Sequence, residues 1–113
     1  MISKRIQVFV ENLAQQKVSV NTTNQFSYEV VTNEIRRNNL IHYLLLMNER
    51  KPKVLLVSEA PGYLGMKLTG VPFSSERTLL YHPFYSGNKK FKIEFKGITE
   101  PSATIVWNGL DSV

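Results

Sequence analysis

Cysteine is absent from the 113-residue chain. That excludes disulfides, thiolate zinc sites and cysteine-ligated iron–sulfur clusters. No uninterrupted apolar stretch reaches the ~18 residues that a membrane span requires, so no membrane partner is expected. The opening stretch "MISKRIQVFVENLAQQ" has neither the apolar core nor the small-residue cleavage site of a signal peptide. With the lack of cysteine, this fits a cytoplasmic protein. Acidic residues are in the minority, nine Asp and Glu against fourteen Lys and Arg, for a formal charge of +5. Such a balance permits a polyanionic partner without requiring one. Only two histidines are present. His42 falls on a helical pattern and His82 in "YHPF", and both read as surface or interface residues. No internal repeat and no low-complexity segment breaks the chain.

What is present suits one domain with a packed core, since 42% of residues are hydrophobic. Ile6, Phe9, Val10 and Leu13 recur at helical spacing, with Ser3 placed to cap, which predicts an amphipathic helix over 4–16. Residues 18–28, rich in Asn, Thr and Ser, read as a long loop. A second helix is expected from Asn33 or Thr32 to near Glu49. Ile35, Leu40, Tyr43, Leu44 and Met47 would face the core, and Arg36, Arg37, Asn38 and Asn39 would face water. "KVLLVSE" then reads as a strand buried on both faces, as in a parallel sheet flanked by helices. "SSERTLLYH" can open a helix capped by Ser74 or Ser75. "KFKIEFK" alternates like a half-exposed strand or an extended arm. "TEPSATIVWNGL" reads as a short helix or a strand: Thr99 and Pro101 are helix start signals, which favour the helix against the β-branched pair Ile105 and Val106. The pattern is α/β.

In open α/β sheets, ligands bind beyond the carboxyl ends of the strands. Glu59 stands at that end of "VLLV", where a carboxylate can position or deprotonate a water. Ala60, Pro61 and Gly62 turn the chain and can present backbone amides to a polar ring edge. Phe73 follows Gly70 and Pro72, whose backbone preferences can fix an aromatic as a stacking platform. Taken singly, a glutamate after a strand is most often a solvated turn residue, and a phenylalanine is most often core.

"LLVSEAPGYLGMKLTGVPFSSE" resembles the first active-site motif and following loop of the uracil-DNA glycosylase superfamily. "EIRRNNLIHYL" before it and "EPSATIVWNGL" after it are similar to the surroundings of that motif, so the resemblance covers residues 33–110. It implies base excision, in which a uracil is extruded from DNA into a pocket. It also implies that Glu59 positions the attacking water, that Ala60 and Pro61 wall the uracil carbonyl, and that Phe73 stacks on the base. It implies no cofactor and no metal. Ser58 departs from the glycine that commonly opens the motif. Gly65 stands where one branch has a second glutamate. The family's later base-reading asparagine and late histidine loop have no counterpart here. Asn108 lies in a segment that resembles the helix before the missing strand.

The expected fold is therefore a partial uracil-DNA-glycosylase-like parallel sheet flanked by helices. It would be one apparently truncated domain over residues 1–113, with a helix and loop over 1–32 and the motif-bearing part over 33–113. Apolar strand edges left by such a part invite pairing with another copy, so a homo-oligomer is expected. Uracil-containing DNA is the implied partner. Lys67, Arg77, Lys89, Lys90 and Lys92 are candidates for phosphate contact, which would be nonspecific and salt-dependent. The competing reading is a non-catalytic nucleic-acid or nucleobase-binding module, or a folded remnant without activity.

Overall fold

In the computed structural model, residues 2–58, 60–86, 90–95, 97–99 and 101–112 are described. Six helices follow in order: α1 (Ile2–Ala14), α2 (Asn33–Arg50), α3 (Met66–Thr69), α4 (Glu76–Tyr81), α5 (Pro83–Ser86) and α6 (Pro101–Asp111). No strand occurs among the described residues. The α/β reading and its parallel sheet are thereby corrected: the chain is a small helical globule.

α1 begins two residues earlier than its pattern predicts, and Ser3 lies inside it. It buries Ile6, Val10 and Ala14, a stripe of one residue per turn. Phe9, expected in the core, is exposed. α1 packs on α2, and Val10, Ala14, Phe26 and Leu40 form the first apolar cluster. Phe26 is carried there by the loop after α1. The side-chain amide of Asn24 donates to the Leu13 and Gln16 carbonyls, and its oxygen accepts from the Phe26 amide. Polar loop residues thus satisfy the carbonyls that the end of a helix leaves open.

α2 ends where Lys51 turns left-handed at φ 50° and donates its N–H to the Met47 carbonyl, one residue before Pro52. Its buried face is not the expected one. Leu40 is buried, but so are Asn33, Arg36 and Asn39. Asn39 is fully enclosed. Its side-chain N–H₂ donates to the Thr69 and Lys92 carbonyls, and its oxygen accepts the Lys92 amide at 2.8 Å. Arg36 donates to the carbonyls of Lys67 and Thr32 and to the Glu94 carboxylate. Buried polar groups of this kind are tolerable only when every donor and acceptor is met. Among the described residues none is left unmet.

A second cluster gathers Val71, Leu79 and Tyr85, with Phe84, Phe91 and Trp107 around them. Tyr85 is its centre and meets the rings of Phe84, Phe91 and Trp107 edge-on at 4.9, 5.2 and 5.6 Å. Such contacts add ~0.5–1.5 kcal/mol each beyond area burial. Burial, then the neighbouring Tyr43, pushes the Tyr85 hydroxyl pKa upward. Tyr43 packs against both clusters and joins them.

The two strand expectations fail for separate reasons. Residues 54–58 form no regular element and are exposed; Val54, Leu55 and Val57 are each more than three-quarters accessible. A strand buried on both faces needs flanking strands, and the second alternating stretch does not supply one. Along 92–98, four backbone amides are taken by side chains instead of a ladder. Lys92 donates to Asn39, Glu94 and Phe95 donate to one carboxylate oxygen of Glu76, and Ile98 donates to the other. Glu76 itself is 0% exposed. Replacing it by alanine would leave three amides without an acceptor, at ~1–3 kcal/mol for each one buried. Glu76→Ala is therefore expected to lower unfolding free energy by at least ~3 kcal/mol in a urea titration. A loss below ~1 kcal/mol would show that the carboxylate does not hold this segment.

Candidate functional site

The loop after the apolar run is built from two turns joined by α3. The Gly62 carbonyl accepts the amides of Gly65 and Lys67, both at 3.1 Å, which starts α3. Gly70 closes it, with φ 79° and its N–H on the Met66 carbonyl. Gly70 is also the point of closest approach to α2: a Cβ there would lie 2.4 Å from the Arg36 carbonyl oxygen. Arg36 and Asn39 reach back to the carbonyls of Lys67 and Thr69. The loop is thus bolted to α2 at three successive places.

The second turn ends in Phe73. Its φ is 51°, a left-handed value that a bulky side chain rarely takes. Pro72 before it sets the preceding residue for a turn whose next position is usually glycine or asparagine. The strain is held by a closed ring of buried hydrogen bonds. The Val71 amide donates to the Thr69 hydroxyl, the two hydroxyls of Thr69 and Ser74 meet at 2.7 Å, and Ser74 donates to the Val71 carbonyl. The Phe73 carbonyl accepts the Trp107 indole N–H at 2.8 Å, which ties the turn to α6. The Phe73 residue is half-buried. These bonds fix the Phe73 backbone. A residue held in a sparsely populated conformation by an over-determined surround is a recurrent mark of function.

Ser75 caps α4 as expected, accepting the Thr78 amide. Between α4 and α6 opens a cleft of about 230 Å³, lined by Arg77, Thr78, His82, Trp107 and Asn108, among others. Both ring nitrogens of His82 are hydrogen-bonded there. Its Nδ1 accepts the Phe84 amide at 3.1 Å, and its Nε2 lies 3.0 Å from both oxygens of Asp111. Its ring lies 4.4 Å from that of Trp107. With both nitrogens engaged, the imidazole braces α6. His42 stands against Phe91. Desolvation, then the charges of Lys90 and Lys92, lower its pKa, so protonation is disfavoured in the folded state as pH falls below its ordinary 6.5.

Glu59, the expected catalytic carboxylate, and Lys89 lie outside the described residues. Ala60 and Pro61 are exposed, and Gly62 is half-buried. Lys67 and Arg77 are exposed, and each sits over a tyrosine: Lys67 Nζ is 4.8 Å from the Tyr63 ring and Arg77 Cζ is 5.0 Å from that of Tyr81. A third pair, Arg37 over Tyr28 at 4.3 Å, was not anticipated. All three tyrosines are more than half accessible. Lys90 and Lys92 are exposed as well, while their carbonyls accept from Asn38 and Asn39. Arg36 and Asn39, which hold the loop of the candidate site to α2, and Glu76, which holds residues 94, 95 and 98, were not singled out from sequence as site residues. The signal for the first two was a helical stripe, 33, 36, 39, 40 and 43, occupied largely by polar residues.

Comparison with protein-family models, with curated proteins and with solved structures finds no match to this chain.

Gly70→Ala puts a Cβ against the Arg36 backbone and forces a strained φ, which costs ~1–3 kcal/mol from the backbone conformation alone. Thermal unfolding of the variant should begin well below that of the parent. An unchanged midpoint would mean that the α2–α3 approach is looser than described.

Proposed function

We propose that the chain binds uracil-bearing DNA, with Phe73 as the stacking platform for the base. The observation that carries this reading is the strained, over-determined Phe73 turn within a motif that resembles the uracil-DNA glycosylase signature. The cation–tyrosine pairs support it. Exposed aromatic faces interleaved with Lys and Arg suit unpaired bases and their phosphates, and a basic chain favours polyanions.

In its catalytic form the reading assigns Glu59 to hold a water. The water oxygen would bond to the sugar C1′ as the C1′–N1 bond breaks, the bonding pair would leave on the uracil ring, and the water's proton would pass to the Glu59 carboxylate. Ala60, Pro61 and Gly62 would meet the base through their backbone. A second reading, DNA binding without excision, is favoured by the exposed cation–tyrosine pairs, which can hold bases and phosphates with no acid–base group.

Single-turnover excision on uracil-containing oligonucleotides, single- and double-stranded, separates the two when Glu59→Gln is run in parallel. Excision that Glu59→Gln depresses supports the catalytic form. Binding without excision supports the second reading. Failure to bind either strand form more tightly than neutral polymer removes both.

Phe73→Gly separates stacking from stability. Glycine relieves ~1–2 kcal/mol of left-handed strain, which offsets much of the packing lost with a half-buried ring. The thermal midpoint should therefore move little. Loss of a stacked base costs ~1–3 kcal/mol, a ~5–150-fold weaker affinity for a uracil-bearing single strand. Unaltered affinity in a fluorescence-anisotropy titration would remove Phe73 from the site.

A further inference from the structure

Residues 51–58 are exposed without interruption, and four of them in a row are apolar: Val54, Leu55, Leu56 and Val57. Their relative accessibilities are 76, 85, 48 and 79%. None of their backbone amides or carbonyls has a backbone partner among the described residues. Solvated apolar runs with unpaired backbone are templates for pairing with another chain.

We infer that residues 54–57 pair with the same residues of a second copy, as a two-stranded antiparallel ribbon about a twofold axis. The order Val-Leu-Leu-Val reads the same in both directions. With the axis between Leu55 and Leu56, Val54 faces Val57 of the other copy and Leu55 faces Leu56, so every cross-strand contact is apolar. The next pair outward sets Lys53 against Ser58. The two Lys53 side chains then lie at opposite ends of the ribbon, and no like charges meet. A partner unrelated in sequence has no such match built in. Twofold pairing is isologous and closes at two copies. Two valines and two leucines contribute less than the ~800 Å² per partner of a standard interface, so the dimer is concentration-dependent. The inference does not rest on the DNA-binding reading.

The absence of cysteine makes the register testable in the full chain. In Lys53→Cys/Ser58→Cys, the two thiols of one extended strand stand ~17 Å apart, too far for a disulfide, whose Cα atoms lie within ~7 Å. Across the twofold they are opposite each other. Mild oxidation should give a covalent dimer in the double variant and little in Ser58→Cys or Lys53→Cys alone. Light scattering should show the parent rising from 13.0 kDa towards twice that mass with concentration. Leu55→Lys should weaken the association at least tenfold with an unchanged circular-dichroism spectrum, since Leu55 touches little of its own chain. A mass fixed at one chain at every concentration would overturn the inference. So would open-ended assembly, indifference to Leu55→Lys, or equal cross-linking by the single variants.

Discussion

The fold depends on one constraint: backbone amides and carbonyls that belong to no regular ladder must still be met once buried. Three side chains meet them. Asn39 presents both ends of its amide to the backbone, Arg36 spreads its donors over two carbonyls and a carboxylate, and Glu76 collects three amides. Apolar burial alone would not position the loops they hold, because the hydrophobic effect is non-directional. The two apolar clusters are small, and their shared Tyr43 is what makes them one core. Within that frame, the Phe73 turn can keep an unfavourable φ, because it is fixed both by the Thr69–Ser74 hydroxyl ring and by the Trp107 indole.

Four of the six helices were legible from sequence. The apolar spacing of α1 and α2, the stop at Pro52 and the Ser75 cap of α4 are local signals that the chain obeys. The short α3 and α5 were not read, and Pro83, read as a turn residue, opens α5. α6, with β-branched Ile105 and Val106 arguing the other way, follows its start signals. The sheet was misread because a run such as Val54 to Val57 specifies burial only when something lies on each side of it. Periodicity reports what a segment prefers and says nothing about whether a partner exists. "KFKIEFK" alternates as a strand does, but its amides are claimed by Glu76 and Asn39. That competition involves residues 18 to 53 positions apart and is invisible to a local window.

The candidate site was legible in its turn residues and not in the side chains that hold them. Gly70 and Pro72 announced special backbone geometry before Phe73, and that geometry is present. Arg36 and Asn39 were assigned to water because charged and amide side chains are mostly exposed. Their partners are backbone atoms of distant loops, which carry no residue-type signature. The cation–tyrosine pairs are similarly hidden. Lys67 and Tyr63 are four residues apart, as are Arg77 and Tyr81, but only the helical or turn path between them brings ring and charge together. Arg37 and Tyr28 meet because the Arg37 side chain also donates to the Phe26 and Ser27 carbonyls and draws the loop in.

Holding a segment by a carboxylate, not by a neighbouring strand, changes what the sequence can tolerate there. In a sheet, a one-residue slip turns every side chain to the opposite face. The Glu76 clasp has no such register. One oxygen takes the adjacent amides of Glu94 and Phe95, the other takes Ile98, and Gly97 lies between them at φ 86°. The chain there is pinned at three amides by one side chain. A single change at position 76 is felt by the whole segment at once.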